Sequence, residues 1–247
     1  MELTQAQIAW LNECTRGTWS LNKSGLVDID GSFNCKEQNL EDFKGVKFGV
    51  VGGDFYCYDN KLTSLEGAPQ KVKGSFDCRY NKLTSLEGAP QKVGGEFDCS
   101  YNKLTSLEGA PQEVGWSFYC RYNELTSLEG APQVVGRYFY CSHNKLTSLV
   151  GAPQVVKGSF LCSHNQLTSL EGAPQEVGGD FDFSYNLIRG TTLKLIHKTM
   201  VERDVPYIIA LGILKTSIDK KEFDKLSEGL SNDTLKGASM MGRFLCP

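Results

Sequence analysis

Phe76-Asp77-Cys78-Arg79-Tyr80-Asn81-Lys82-Leu83-Thr84-Ser85-Leu86-Glu87-Gly88-Ala89-Pro90-Gln91-Lys92-Val93-Gly94-Gly95-Glu96 is one copy of a unit that recurs through the middle of the chain. Its cysteine returns every 21 residues as Cys57, Cys78, Cys99, Cys120, Cys141 and Cys162, and Phe183 continues the phase. Asn60, Asn81, Asn102, Asn123, Asn144, Asn165 and Asn186 follow three residues behind, and Phe55, Phe76, Phe97, Phe118, Phe139, Phe160 and Phe181 stand two ahead. A degenerate copy, Phe33-Asn34-Cys35, precedes the first regular one by 22 residues and brings the count to eight rungs. A fixed period of this length marks a stacked architecture in which no single unit can bury its own apolar face.

The chemistry of the unit predicts its shape. Phe and Cys alternate with polar or variable residues, so they share the inward face of a short strand while Asp77 and Arg79 point out. Strands that all run one way need a crossover, and Glu-Gly-Ala-Pro-Gln is too short and too rich in Gly and Pro for a helix, so a turn or polyproline-like return is expected. Leu83 and Leu86 fill the interior, and Val93 and its equivalents seal the far side. The recurring Asn stands where the chain leaves the strand, where its amide can satisfy backbone groups of its own and the neighbouring rung. The expected fold is therefore a β-solenoid of about eight short parallel strands in a right-handed coil with an asparagine ladder.

Outside this frame, three outward positions vary between units. The middle one reads Tyr56, Asp77, Asp98, Tyr119, Tyr140, Leu161 and Asp182. The one before it gives Asp54, Ser75, Glu96, Ser117, Tyr138, Ser159 and Asp180, and the one after gives Tyr58, Arg79, Ser100, Arg121, Ser142, Ser163 and Ser184. Tyr119, Tyr138, Tyr140 and Leu161 with Arg121 have the composition of a protein-binding hot spot. Together with Tyr56, Tyr58, Asp77, Arg79 and Asp98 they form the candidate partner-binding set, on a concave face that is aromatic in the centre and acidic on both sides. Such a face favours a partner protein with basic and apolar groups over a phosphate backbone. The plainer alternative is a solvated sheet face on which Tyr serves strand propensity.

Both flanks read as caps on this solenoid. Over residues 1–30, Thr4 opens a helix that spaces Ile8, Leu11, Trp10 and Cys14, and strands at Thr18 to Leu21 and Leu26 to Ile29 surround the turn Asn22-Lys23-Ser24-Gly25. The solenoid covers 31–189, with the degenerate repeat at 31–52 and regular repeats at 53–189. Residues 190–247 abandon the period, and helices near 191–202, 206–216, 219–229 and 232–243 are expected to form a helical cap or small helical domain.

Composition excludes several function classes. Lys and Arg total 26 against 29 Asp and Glu, so no net field draws the chain to nucleic acid or an anionic membrane. The longest apolar stretch, Val205 to Leu214, is about half of the ~20 residues a spanning helix needs, and the start has no secretory character, so the expected location is cytoplasmic. No phosphate-binding glycine loop, zinc-binding helix or nucleophile turn is present, and no catalytic residue, cofactor or metal is assigned. Cysteines in a line along parallel strands cannot enclose a tetrahedral zinc, and a rung spacing of ~4.8 Å exceeds the ~3.8 Å between β-carbons of a relaxed disulfide, so compact apolar filling is expected of them. His143 and His164 occupy a position that is Tyr in four other units, which favours a shared aromatic packing role over a metal pair.

Asn81-Lys82-Leu83-Thr84-Ser85-Leu86, with Pro90 and Val93, resembles the leucine-rich repeat in the short form found in secreted bacterial effectors. Here the unit is one residue longer, Phe and Cys replace strand aliphatics, and Gly-Ala replaces the neighbourhood of the first proline. The Leu-Thr-Ser-Leu-Glu-Gly-Ala-Pro run is also similar to uncharacterised repeat proteins of tailed bacteriophages. The resemblance implies a non-catalytic binding scaffold, such as a phage-encoded inhibitor or adaptor acting on a host protein. A glycan-binding adhesin module or a structural part of a larger assembly are the alternatives. Effector ligase activity is not implied, since the tail is too short for that catalytic domain and Cys246 is its only cysteine.

Overall fold

The computed structural model describes residues 2–188. Stacking the 21-residue unit gives a parallel β-solenoid of about seven turns, preceded by one short helix. Thr4 caps that helix, α1 (Gln5–Cys14), by accepting from the Gln7 amide at 3.3 Å, while the Gln7 side chain accepts from the Thr4 amide at 2.8 Å. Trp10, Leu11 and Cys14 are its buried residues, and Trp10 sets its indole edge-on to Phe33 at 5.2 Å, covering the first rung. Ile8 is only half-buried.

Among the described residues two sheets form, each of nine strands. In the first, β1 (Thr15–Arg16) pairs antiparallel with the strand Ser32–Asn34, and seven phenylalanine strands follow in parallel, from Phe55–Tyr56 to Phe181–Asp182. Each Phe stands opposite the Phe of the next unit, as Phe76 does to Phe97 and Phe97 to Phe118. The expected eight parallel rungs are these.

The second sheet departs from the sequence reading, which left the valine segment as a sealing return. Its hairpin of Trp19–Leu21 and Val27–Ile29 leads into Phe48–Val51 and then six two-residue valine strands, from Lys71–Val72 to Glu176–Val177. The segment can pair because it is as periodic as the first, and Val72, Val93, Val135 and Val156 are buried against the core. Between the sheets, the Ala89 amide donates to the Leu86 carbonyl at 2.9 Å, closing a turn whose third residue, Gly88, has φ +85°. That geometry needs glycine, and a β-carbon there would also lie 2.7 Å from the Leu65 carbonyl oxygen.

Phenylalanine rings fill the interior as a column, with centroids from Phe55 to Phe160 separated by 5.1 to 5.6 Å. Each is fully buried, and such burial contributes about 1.5–3 kcal/mol per ring. Beside them Cys57 to Cys162 are fully buried and unpaired. Burial pushes their thiols far up from the ordinary range, and the Sγ of Cys99 donates to the Tyr119 carbonyl of the next rung at 3.3 Å.

The ladder of asparagines uses both ends of its amide. Asn81 donates from Nδ2 to the carbonyls of Cys57 and Cys78, both at 3.0 Å, and accepts at Oδ1 from the Leu62 amide at 2.9 Å. Each Asn thus ties its own rung to the preceding one. The residue before it must turn left-handed: Tyr80, Tyr101, Tyr122, His143, His164 and Tyr185 all have φ between 53° and 57°. For an L-residue this costs about 1–2 kcal/mol. Their rings stack face to face in one unbroken column at 4.2 to 4.5 Å, which offsets part of that strain.

No helix among the described residues is long and apolar enough to cross a membrane. The four helices expected over 190–247 lie outside the described residues.

Candidate functional site

Two-residue strands with Phe inward leave the flanking side chains on the outer face of the first sheet, and the register holds them in rows across the rungs. The ten expected binding residues all lie on this face. They fall into three groups along it.

Nearest the amino-terminal end, Tyr56 donates from its hydroxyl to Asp54 Oδ2 at 3.0 Å, and Tyr58 is bracketed by Lys36 at 5.3 Å and Arg79 at 5.0 Å from its ring centre. Burial and the Asp54 carboxylate push the Tyr56 phenol up to about 12. Asp77, Arg79 and Asp98 form the next group. Arg79 Nε lies 3.3 Å from Asp77 and Nη1 lies 3.9 Å from Asp98. Burial, reinforced by the Asp98 carboxylate, raises the Asp77 carboxyl to about 7 and outweighs the attraction of Arg79.

Tyr119, Tyr138 and Tyr140 make up the third group, with Leu161 and Arg121. Tyr119 meets Tyr140 edge to face at 5.2 Å, Tyr138 lies 5.6 Å from Tyr140, and Leu161 is the strand partner of Tyr140. Tyr119 also donates to Glu96 at 3.4 Å, linking the aromatic group to the acidic one. Arg121 lies 5.9 Å from the Tyr101 ring centre, where the face meets the stacked column.

Two residues escaped the sequence reading. Trp116 and Arg137 occupy a corner slot that is Gly53, Gly74, Gly95, Gly158 and Gly179 in the other units. The reason for glycine is crowding: a β-carbon on Gly74 would lie 2.7 Å from the Gly53 carbonyl carbon, and one on Gly158 would lie 2.6 Å from the Arg137 carbonyl oxygen. Filling this slot forces the neighbouring rung to give way, yet two adjacent rungs do so with the largest side chains available. Trp116 is 53% exposed, and the Arg137 guanidinium lies 5.7 Å from its ring centre. Arg137 is followed directly by Tyr138, so the corner pair continues into the tyrosine group. Around the same corner, on the second sheet, exposed Val134 pairs with Val155 where other units carry Lys or Glu. The signal was legible as two departures from a glycine column.

The His143 and His164 rings stack at 4.2 Å inside the aromatic column, an arrangement that presents faces to each other and not lone pairs to a shared ion. Burial and the neighbouring His164 hold His143 below the usual imidazole range. Among the described residues no group of three His, Cys, Asp or Glu side chains is placed to hold a metal ion. Compared with models of protein families and with curated proteins, the chain has no match in either.

Proposed function

We propose that the chain is a non-catalytic binding scaffold that grips a partner protein on the outer face of its first sheet and around the adjoining corner. The single observation that carries this is the aromatic group of Trp116, Tyr119, Tyr138 and Tyr140 with Arg121 and Arg137, set on adjacent rungs of a frame that otherwise repeats almost unchanged. Exposed aromatics and arginine are the side chains that dominate binding energy at protein interfaces. Acidic residues beside them, Asp77, Glu96 and Asp98, suit basic groups on the rim of the partner.

The opening Asn-x-Leu-Thr-x-Leu and the asparagine ladder support kinship with leucine-rich repeats. The likeness of the unit to phage repeat proteins supports an inhibitor or adaptor acting inside a host cell. Capture from host lysate tests the surface: partners held by the wild type are expected to be lost from a Trp116→Ala/Tyr138→Ala/Tyr140→Ala variant that still folds. Equal recovery by both refutes this face as the binding site. A glycan array separates the rival reading, in which the same tyrosines stack on sugar rings.

A further inference from the structure

The outer face contains its own control. Two successive units, from Ser75 to Ser100, are repeated 42 residues later from Ser117 to Ser142. At the outward positions Ser75 and Ser117, Arg79 and Arg121, and Ser100 and Ser142 agree. The three outward acids of the first block, Asp77, Glu96 and Asp98, are exchanged for tyrosines in the second, Tyr119, Tyr138 and Tyr140. The backbone frame is the same in both, since Phe76, Phe97, Phe118 and Phe139 pair in unbroken register.

Arg79 therefore shows how the first block balances the charge of an arginine at this position: it sits between two carboxylates, one on its own strand and one on the next. Arg121 stands at the equivalent place with both carboxylates removed. Among the described residues no carboxylate lies within 4.0 Å of it. Its Nε–H is buried without a hydrogen-bond partner, as is that of Arg79, so what sets Arg121 apart is the missing pair of carboxylates; the hydroxyls of Ser100 and Ser117 on the same face are likewise unpartnered. A guanidinium that lies 5.9 Å from the Tyr101 ring centre, with no carboxylate beside it, cannot shed its charge, so an anionic oxygen pair from outside is the group that balances it.

We infer that Arg121 receives a side-chain carboxylate, Asp or Glu, of a partner protein, seated between Tyr119, Tyr140 and Arg121 where the first block places its own aspartates. This rests on the binding-face reading and refines it. The partner would bring a carboxylate to the aromatic centre and basic groups to the acidic rim, so charge order along the contact sets the register of docking.

Nuclear magnetic resonance of the full chain, following the Nε–Hε signals of Arg121 and Arg79, tests this with an end-capped Gly-Glu-Gly peptide against its Gly-Gln-Gly counterpart. The Arg121 signal, assigned by its loss in Arg121→Lys, is expected to move saturably with the glutamyl peptide, which binds roughly tenfold tighter than the glutaminyl one. Arg79, already held by Asp77 and Asp98, should stay in place. Equal movement of both arginines, or no movement of Arg121, overturns the carboxylate site. Tighter binding of glucuronate than of the glutamyl peptide overturns the assignment to a protein and points to an acidic glycan. The lysate capture described above decides the binding face independently: its success with a silent Arg121 discards only the carboxylate.

Discussion

Replacing Asn123 by alanine removes one amide, leaves the buried Leu104 N–H without a partner, and takes one of two donors from each of two buried carbonyls. Asn123 is only 8% exposed, donates to the carbonyls of Cys99 at 3.0 Å and Cys120 at 3.1 Å, and accepts from the Leu104 amide at 3.0 Å. The Cys99 carbonyl keeps Asn102 as a donor and the Cys120 carbonyl keeps Asn144, so with one buried group left unpaired the loss comes to about 1–3 kcal/mol. In a chain of this size that lowers the melting temperature by roughly 2–12 °C. Repeat proteins need not unfold in one step, so the sharper assay is hydrogen exchange at a single amide. The Leu104 N–H, whose only protection in this frame is the Asn123 oxygen, is expected to exchange far faster in the variant. Unchanged protection at Leu104 together with a melting point within ~1 °C of wild type would refute the ladder as a structural element.

Two further outcomes follow from the turn and from the acidic group. Tyr122, at φ 55°, stacks 4.5 Å from Tyr101 and 4.2 Å from His143, so Tyr122→Ala loses the stack and keeps the strain, whereas Tyr122→Gly loses the stack and releases the strain. Glycine is therefore expected to melt higher than alanine here, the reverse of their order in a helix, and a lower melting point for glycine would count against the left-handed turn. Asp77 has a folded value of about 7, above the ~4 of an unfolded aspartate, so the folded chain keeps a proton that the unfolded chain gives up. That contribution is complete below pH ~4 and is lost as pH rises through 7. In Asp77→Asn the stability advantage over wild type should grow from pH 4 to pH 8 in urea titrations; a constant difference would show that Asp77 titrates normally.

How much of this could be read in advance depended on whether a position repeats. Phe76, Cys78, Leu83, Leu86 and Asn81 were placed correctly because each recurs in six or more units, so periodicity alone sets its direction. The second sheet was missed because its strands are two residues long, as in Lys92–Val93, and a single apolar residue cannot show an alternation of period two. The left-handed turn was equally hidden, since four of its residues are Tyr, a bulky type that seldom takes positive φ, although His143, His164 and Asp59 at the same position belong to the types enriched there. At the site, Tyr119, Tyr138 and Tyr140 stood out against Ser and Asp, but Trp116 and Arg137 were passed over because their slot reads as a turn and not as a strand. The crowding that makes glycine the norm there is a property of the stacked backbones, and only their coordinates reveal it.

A lattice whose joints are all alike has no preferred length. Each turn meets the next through the same phenylalanine contact, the same asparagine bridge and the same register, so excising or duplicating a 21-residue segment rejoins ends that already match. Unequal recombination between the near-identical coding segments would yield shorter and longer foldable proteins in one step. The side chains on the outer rows travel with their segments, so such events rearrange the recognition surface like type in a printer's frame, while the frame itself is left untouched.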